Sequence, residues 1–216
     1  MALQAAKALL KPNKTVLFIS DMQEKFVNNI YGFDKIVDNI SKLLRSCKVL
    51  NIPVIVTEQN PEAMGKTIPE IDLTGVRRPF AKTQWSMCTP ENKGYGDMIY
   101  QYRTRSSYLL LKDFQVMSLL NKLCDNGPPE SIILVGIASH VCIENTAIDL
   151  KVGGFEVHTA ADCCSSSTKM ERDLAFERMK QIGCFIGTTE NIVFKLVQDT
   201  RHKDIQKILE IVWPKN

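Results

Sequence analysis

Three residues of different chemistry fall at the ends of separate strand candidates. Asp21 closes TVLFIS (15–20), Lys82 lies in RRPFAKTQWS (77–86), and Cys142 follows SIILVGI (131–137) where a helical pattern begins. A thiol at a helix start feels the positive end of the macrodipole, and a nearby ammonium favours the thiolate further. A carboxylate within hydrogen-bond reach can take the thiol proton and return it to a leaving group. Backbone N–H groups of Ala138 and Cys142, at the strand-to-helix turn, are candidates to receive the oxyanion of a tetrahedral intermediate. These residue types together predict acyl transfer, with a thiolate available at neutral pH.

Each residue also has a plainer reading. Free cysteine is among the most buried residue types, Asp21 could cap a helix, and Lys82 could be a solvated loop lysine. Joint placement at three strand ends separates the two sets of readings. Gln23 and Phe26 follow Asp21 closely enough to touch a ligand, as Trp85 follows Lys82, and an aromatic there suits a planar or apolar acyl group. His140 is two residues before Cys142, a spacing that need not align the two side chains across a turn. It is read as lining the pocket or bonding the backbone. Cys163 and Cys164 are read as packing, since adjacent cysteines rarely bridge without strain.

The elements that must position these residues alternate along the chain. TVLFIS is apolar on both alternating faces, as a central parallel strand requires. Ile36, Ile40, Leu43, Leu44, Cys47 and Leu50 mark one helical face that ends at Asn51 and Pro53, before a second strand, PVIVTEQ (53–59). RRPFAKTQWS is a third, short strand. Residues 89–107 fit no clean period and read as a surface excursion. A helix is expected from Phe114 to Gly127-Pro128-Pro129, then strand four (131–137) and a helix over 141–151. FEVHTAADCC (155–164) and GCFIGTTE (183–190) are strands five and six, separated by a helix with Leu174, Met179 and Ile182 as apolar positions. From Asp199 a short amphipathic helix follows. The class is therefore α/β, with a mainly parallel sheet of about six strands covered on both sides. Function in such a sheet collects at the strands' carboxyl ends, where the strand order reverses. If strands one and four are neighbours there, Asp21, Lys82 and Cys142 can converge.

The chain has 216 residues, enough for one sizeable core, and its net charge of +3 shows no sustained basic stripe for nucleic acid. Its seven cysteines are odd in number and lack paired spacing, as in reduced intracellular proteins. No apolar run is long enough to span a bilayer. A cytoplasmic location is expected, with the basic, arginine-free N-terminus leaving a mitochondrial address open.

With these residues in place, LFISDMQEKF (17–26), FAKTQWS (80–86) and GIASHVCIENTAIDL (136–150) resemble, in order, the motifs of the isochorismatase-like cysteine hydrolases. The likeness runs from about residue 15 to 198, and DMQEKF with TEQNPEAMGKTIPE is similar to the eukaryotic isochorismatase domain-containing branch. It implies a three-layer, doubly wound α/β fold, with an N-terminal extension (1–14) and a C-terminal helix or tail (199–216). It also implies acid/base work at Asp21, a cationic role for Lys82, the nucleophile at Cys142 and a cis peptide at Ile137-Ala138. No cofactor is expected, a small-molecule substrate is, and homo-oligomers, dimers or tetramers, are implied. Nicotinamidases of this superfamily hold a metal on an Asp and two His after strand two, whereas this chain has no histidine before His140. No metal site is therefore expected. Retention of a cysteine points to a carbonyl substrate: a small amide, carbamoyl compound or ester. A ligand-binding or redox-responsive protein without catalysis is the alternative. Some relatives are labelled ribonucleases, a reading that the scattered His140, His158 and His202 do little to support.

Overall fold

The computed structural model describes residues 6–88, 123–124 and 127–214. Most of the helix expected from Phe114, and the excursion expected over 89–107, lie outside the described residues. The remainder is built on a parallel sheet of strands β1 (Thr15–Ser20), β2 (Val54–Gln59), β3 (Phe80–Lys82), β4 (Ser131–Ile137), β5 (Glu156–Ser165) and β6 (Phe185–Gly187). Their spatial order is β3-β2-β1-β4-β5-β6. The order reverses between β1 and β4, which pair from Thr15↔Ser131 to Ser20↔Gly136.

The two central strands are buried along their whole length. Helix α1 (Phe33–Val49) packs with α4 (Thr189–Val197) and α5 (Ile205–Val212), while α2 (Glu144–Val152) and α3 (Lys169–Gln181) pack together. The sheet is thus covered on both faces. Gly136 sits at φ +119° with its Cα pressed against β1. Any side chain there would run into the Ser20 backbone. Only glycine lets the two central strands close at the end where Asp21 emerges.

Several boundaries differ from those read in the sequence. β3 ends at Lys82, because residues 83–88 turn away to cross the strand ends. β6 is similarly short: Thr188 caps a helix by accepting from the Asn191 N–H at 3.3 Å, so Thr189 and Glu190 open α4 instead of extending the strand. The inward face of α3 carries Ala175, Phe176 and Met179. Leu174, one of the apolar positions read in this helix, lies two positions from Phe176 and is 48% exposed, and Ile182 is also exposed. The N-terminal segment is packed: Leu10 is fully buried, and its carbonyl accepts from Gln198 Nε2 at 2.9 Å. Ile208 and Val212 bury one face of α5. Among the described residues no helix is long and apolar enough to cross a membrane.

Candidate functional site

Asp21 is the first residue past β1 and takes a left-handed conformation (φ 55°), which aspartate tolerates better than most residues. Its N–H still donates to the Thr57 carbonyl of β2 at 3.1 Å, so the turn stays pinned to the sheet. Its carboxylate accepts from Thr57 Oγ1 at 2.8 Å and from Ser20 Oγ at 3.0 Å. The third partner is Lys82 Nζ, 2.7 Å from Oδ2 in an ion pair that is almost wholly buried. Charges removed from water persist only when such bonds replace their hydration.

Lys82 reaches Asp21 from the edge strand, across β2. Two strand spacings amount to about 10 Å, a distance its extended side chain can largely cover. The ammonium is held by Gln59 Oε1 at 2.6 Å and by the Gln84 and Trp85 carbonyls at 3.1 and 3.0 Å. Gln59 pairs with Lys82 in the β2–β3 register, and its Nε2 donates to the Thr83 carbonyl at 2.7 Å. That second bond fixes which end of the amide faces the cation. Gln59 was not legible as a site residue. Its one signal is position, a polar residue closing an apolar strand beside the strand that carries Lys82.

Cys142 arrives from the other side of the switch point. After β4 the Ile137–Ala138 peptide bond is cis, and Ser139–Ile143 form a wide turn in which the Ile143 N–H donates to the Ala138 carbonyl at 3.2 Å. Wide turns of this type recur where a helix start is reshaped around a functional group. The sulfur accepts from Lys82 Nζ at 3.7 Å, and the Asp21 carboxylate and the Ala138 N–H also act on it. One expectation is corrected here. Burial first, then the Asp21 charge, push the thiol up to about 12, against the opposing pull of Lys82 and the Ala138 N–H. At rest Cys142 is a neutral thiol beside an ion pair, not a standing thiolate, because burial disfavours its charged form and Asp21 offsets the field of Lys82.

The other candidates divide. Gln23 is fully buried, and every polar atom of its side chain is bonded to backbone. Nε2 donates to the Gln59 and Gly65 carbonyls at 3.0 and 2.7 Å, and Oε1 accepts from the Gln59 N–H at 2.7 Å. The expected ligand contact gives way to a structural one: Gln23 fixes the end of β2, and with it Gln59. Phe26 packs against the core. Trp85 is 57% exposed and touches the site through its carbonyl. His140 Nδ1 lies 3.0 Å from Ser166 Oγ, and Ser139 Oγ donates to the Ser165 carbonyl at 3.0 Å, so the turn bearing Cys142 is tied to the end of β5. His158 lies far down β5, stacked on Phe185. Among the described residues, no group of three or more His, Cys, Asp or Glu side chains is arranged to hold a metal ion.

The profile of the isochorismatase domain matches residues 15–191. Isochorismatase domain-containing protein 2 of Danio rerio is 38% identical over 203 residues, covering 93% of this chain and 89% of its own. The human protein of the same name is 36% identical, with 92% and 84% covered. Among solved structures, the MAR1 ribonuclease from Caenorhabditis elegans superposes with a TM-score of 0.75 at 30% identity, covering 95% of this chain and 92% of that one.

Proposed function

The chain belongs to the isochorismatase family, a membership that supports a hydrolase, and on that premise we propose that it cleaves a small neutral amide, carbamoyl compound or ester through a thioester on Cys142, without a metal. The observation that carries this reading is the meeting of Lys82 Nζ with Asp21 Oδ2 at 2.7 Å and with Cys142 Sγ at 3.7 Å, although the three residues come from different strand ends.

In this reading Asp21 takes the thiol proton as the Cys142 sulfur attacks the substrate carbonyl. Lys82 holds the sulfur's developing charge, and the backbone N–H groups of Ala138 and Cys142 receive the oxyanion. Collapse of the tetrahedral adduct expels the amine or alcohol, which leaves with the proton from Asp21. Asp21 then deprotonates a water that attacks the thioester; the acid departs, and the proton returns to Cys142. A neutral resting thiol fits this cycle, since the proton moves only when a carbonyl is present to accept the electron pair. In this reading Trp85 and His140 serve as substrate contacts.

The test is turnover of a panel of small amides, N-carbamoyl compounds and esters by the wild type and Cys142→Ala, each with and without a chelator. At least one compound should be hydrolysed, unaffected by the chelator, with Cys142→Ala slower by about 10³-fold or more. Undiminished turnover in Cys142→Ala would remove the thioester mechanism. RNA cleavage by both forms, with no panel compound hydrolysed, would instead favour the activity named for the nematode relative.

A further inference from the structure

The loop after β3 has two attachments besides the bond from Gln59 to its Thr83 carbonyl. Its Gln84 and Trp85 carbonyls accept from Lys82 Nζ, and its Met87 N–H donates to Thr146 Oγ1 at 2.9 Å. Thr146 lies one helical turn beyond Cys142, and its hydroxyl donates in turn to the Cys142 carbonyl at 2.6 Å. Thr146 and Met87 are both fully buried. A hydroxyl bonding back to the carbonyl four residues earlier is a common local feature of helices. The second bond, accepted from a residue 59 positions away, makes this one a link between segments.

The sheet does not fix the distance between Lys82 and Cys142. Two strands, β2 and β1, lie between β3 and β4, and Cys142 stands beyond the end of β4. Asp21 and Gln59 hold the ammonium from the sheet side, and its separation from the sulfur then depends on how the loop after β3, whose carbonyls also hold it, docks against the turn bearing Cys142. Thr146 is bonded to both. Its single proton goes to one segment and a lone pair to the other, so serine can reproduce the arrangement while valine, with the same shape, cannot.

We propose that Thr146 is a positioning residue that sets the separation of the Lys82 ammonium from the Cys142 sulfur, and with it how far Lys82 favours the thiolate. The proposal rests on the reading of Cys142 as a nucleophile served by Lys82.

The experiment follows alkylation of each cysteine by iodoacetamide between about pH 7 and about pH 9.5, by peptide mass spectrometry. It compares the wild type with Thr146→Val, Thr146→Ser, Lys82→Met and the Lys82→Met/Thr146→Val double variant. Thr146→Val and Lys82→Met should each slow Cys142 roughly three- to tenfold, Thr146→Ser should match the wild type, and the double variant should be no slower than Lys82→Met alone. A wild-type rate in Thr146→Val, a multiplied effect in the double variant, or faster labelling of Cys142 together with Cys88 would overturn the proposal. The last pattern marks simple loosening of the fold. If Lys82→Met leaves Cys142 unchanged, the Lys82–Cys142 chemistry itself fails, whatever Thr146 does. Should Thr146→Val not fold, Thr146→Ala replaces it, with hydrogen exchange at the Met87 amide as a second readout. Faster exchange with slower alkylation supports the link, and faster exchange with unchanged alkylation overturns it.

Discussion

Cys142 and the pair Cys163–Cys164 are buried thiols at the carboxyl ends of neighbouring strands, yet their surroundings differ. Cys163 Sγ lies 3.0 Å from the Thr189 hydroxyl, and Cys164 donates to the Leu134 carbonyl. Burial raises both above the ordinary thiol range, as it raises Cys142. Cys164 feels Asp162 and Arg172, but it is the Cys142 sulfur that lies 3.7 Å from an ammonium itself paired with the Asp21 carboxylate. Burial alone makes a cysteine inert. The proposed chemistry at Cys142 draws on groups brought from β1 and β3, which meet at the strand switch point.

The largest effect should separate the two sites outright. Cys142→Ala is expected to lower turnover by about 10³-fold or more while retaining the fold, whereas Cys163→Ala should leave kcat within about twofold and lower stability instead. Equal losses of activity would erase the distinction. Asp21→Asn should come next, lowering kcat by about 10²-fold or more through loss of the base. It also strands the buried Lys82 cation, so urea denaturation should show a stability loss of about 3 kcal/mol.

The smallest effect tests burial without chemistry on the same strand as Cys163. Burial, then the Lys195 charge, lower His158 to about 4. The unfolded chain takes up this proton near pH 6.5 and the folded protein only near pH 4, so acid favours unfolding. Stability from this group is full above about pH 6.5 and declines as pH falls to about 4, by roughly 3 kcal/mol in all. His158→Phe should flatten that part of the urea-midpoint profile without changing kcat. An unchanged profile would show that His158 does not carry the acid sensitivity.

The central strands were readable because TVLFIS and SIILVGI are apolar on both faces, which only a covered parallel strand requires. Asp21, Lys82 and Cys142 were readable as strand-end residues, and the β1–β4 pairing brings those ends together. Other features depend on what lies far away in the chain. Gln59 and Gln23 look like ordinary polar residues until their amides are seen bonded across strands. The Cys142 thiol was expected to be depressed because a helix start and a lysine are visible in sequence, while its burial and the opposing charge of Asp21 are not. α4 was missed because GCFIGTTE continues a β-like pattern into its own capping threonine. Leu174 was read as an apolar position of its helix, although the face of Phe176 and Met179 turns it outward.

The most direct measurement is intact-protein and peptide mass spectrometry on acid-quenched mixtures with p-nitrophenyl acetate, a simple acyl donor. An acetyl group should appear on Cys142, decay as acetate is released, persist longer in Asp21→Asn and be absent in Cys142→Ala. Acetate release at the wild-type rate by Cys142→Ala, or acetyl groups confined to other residues, would contradict nucleophilic catalysis at Cys142.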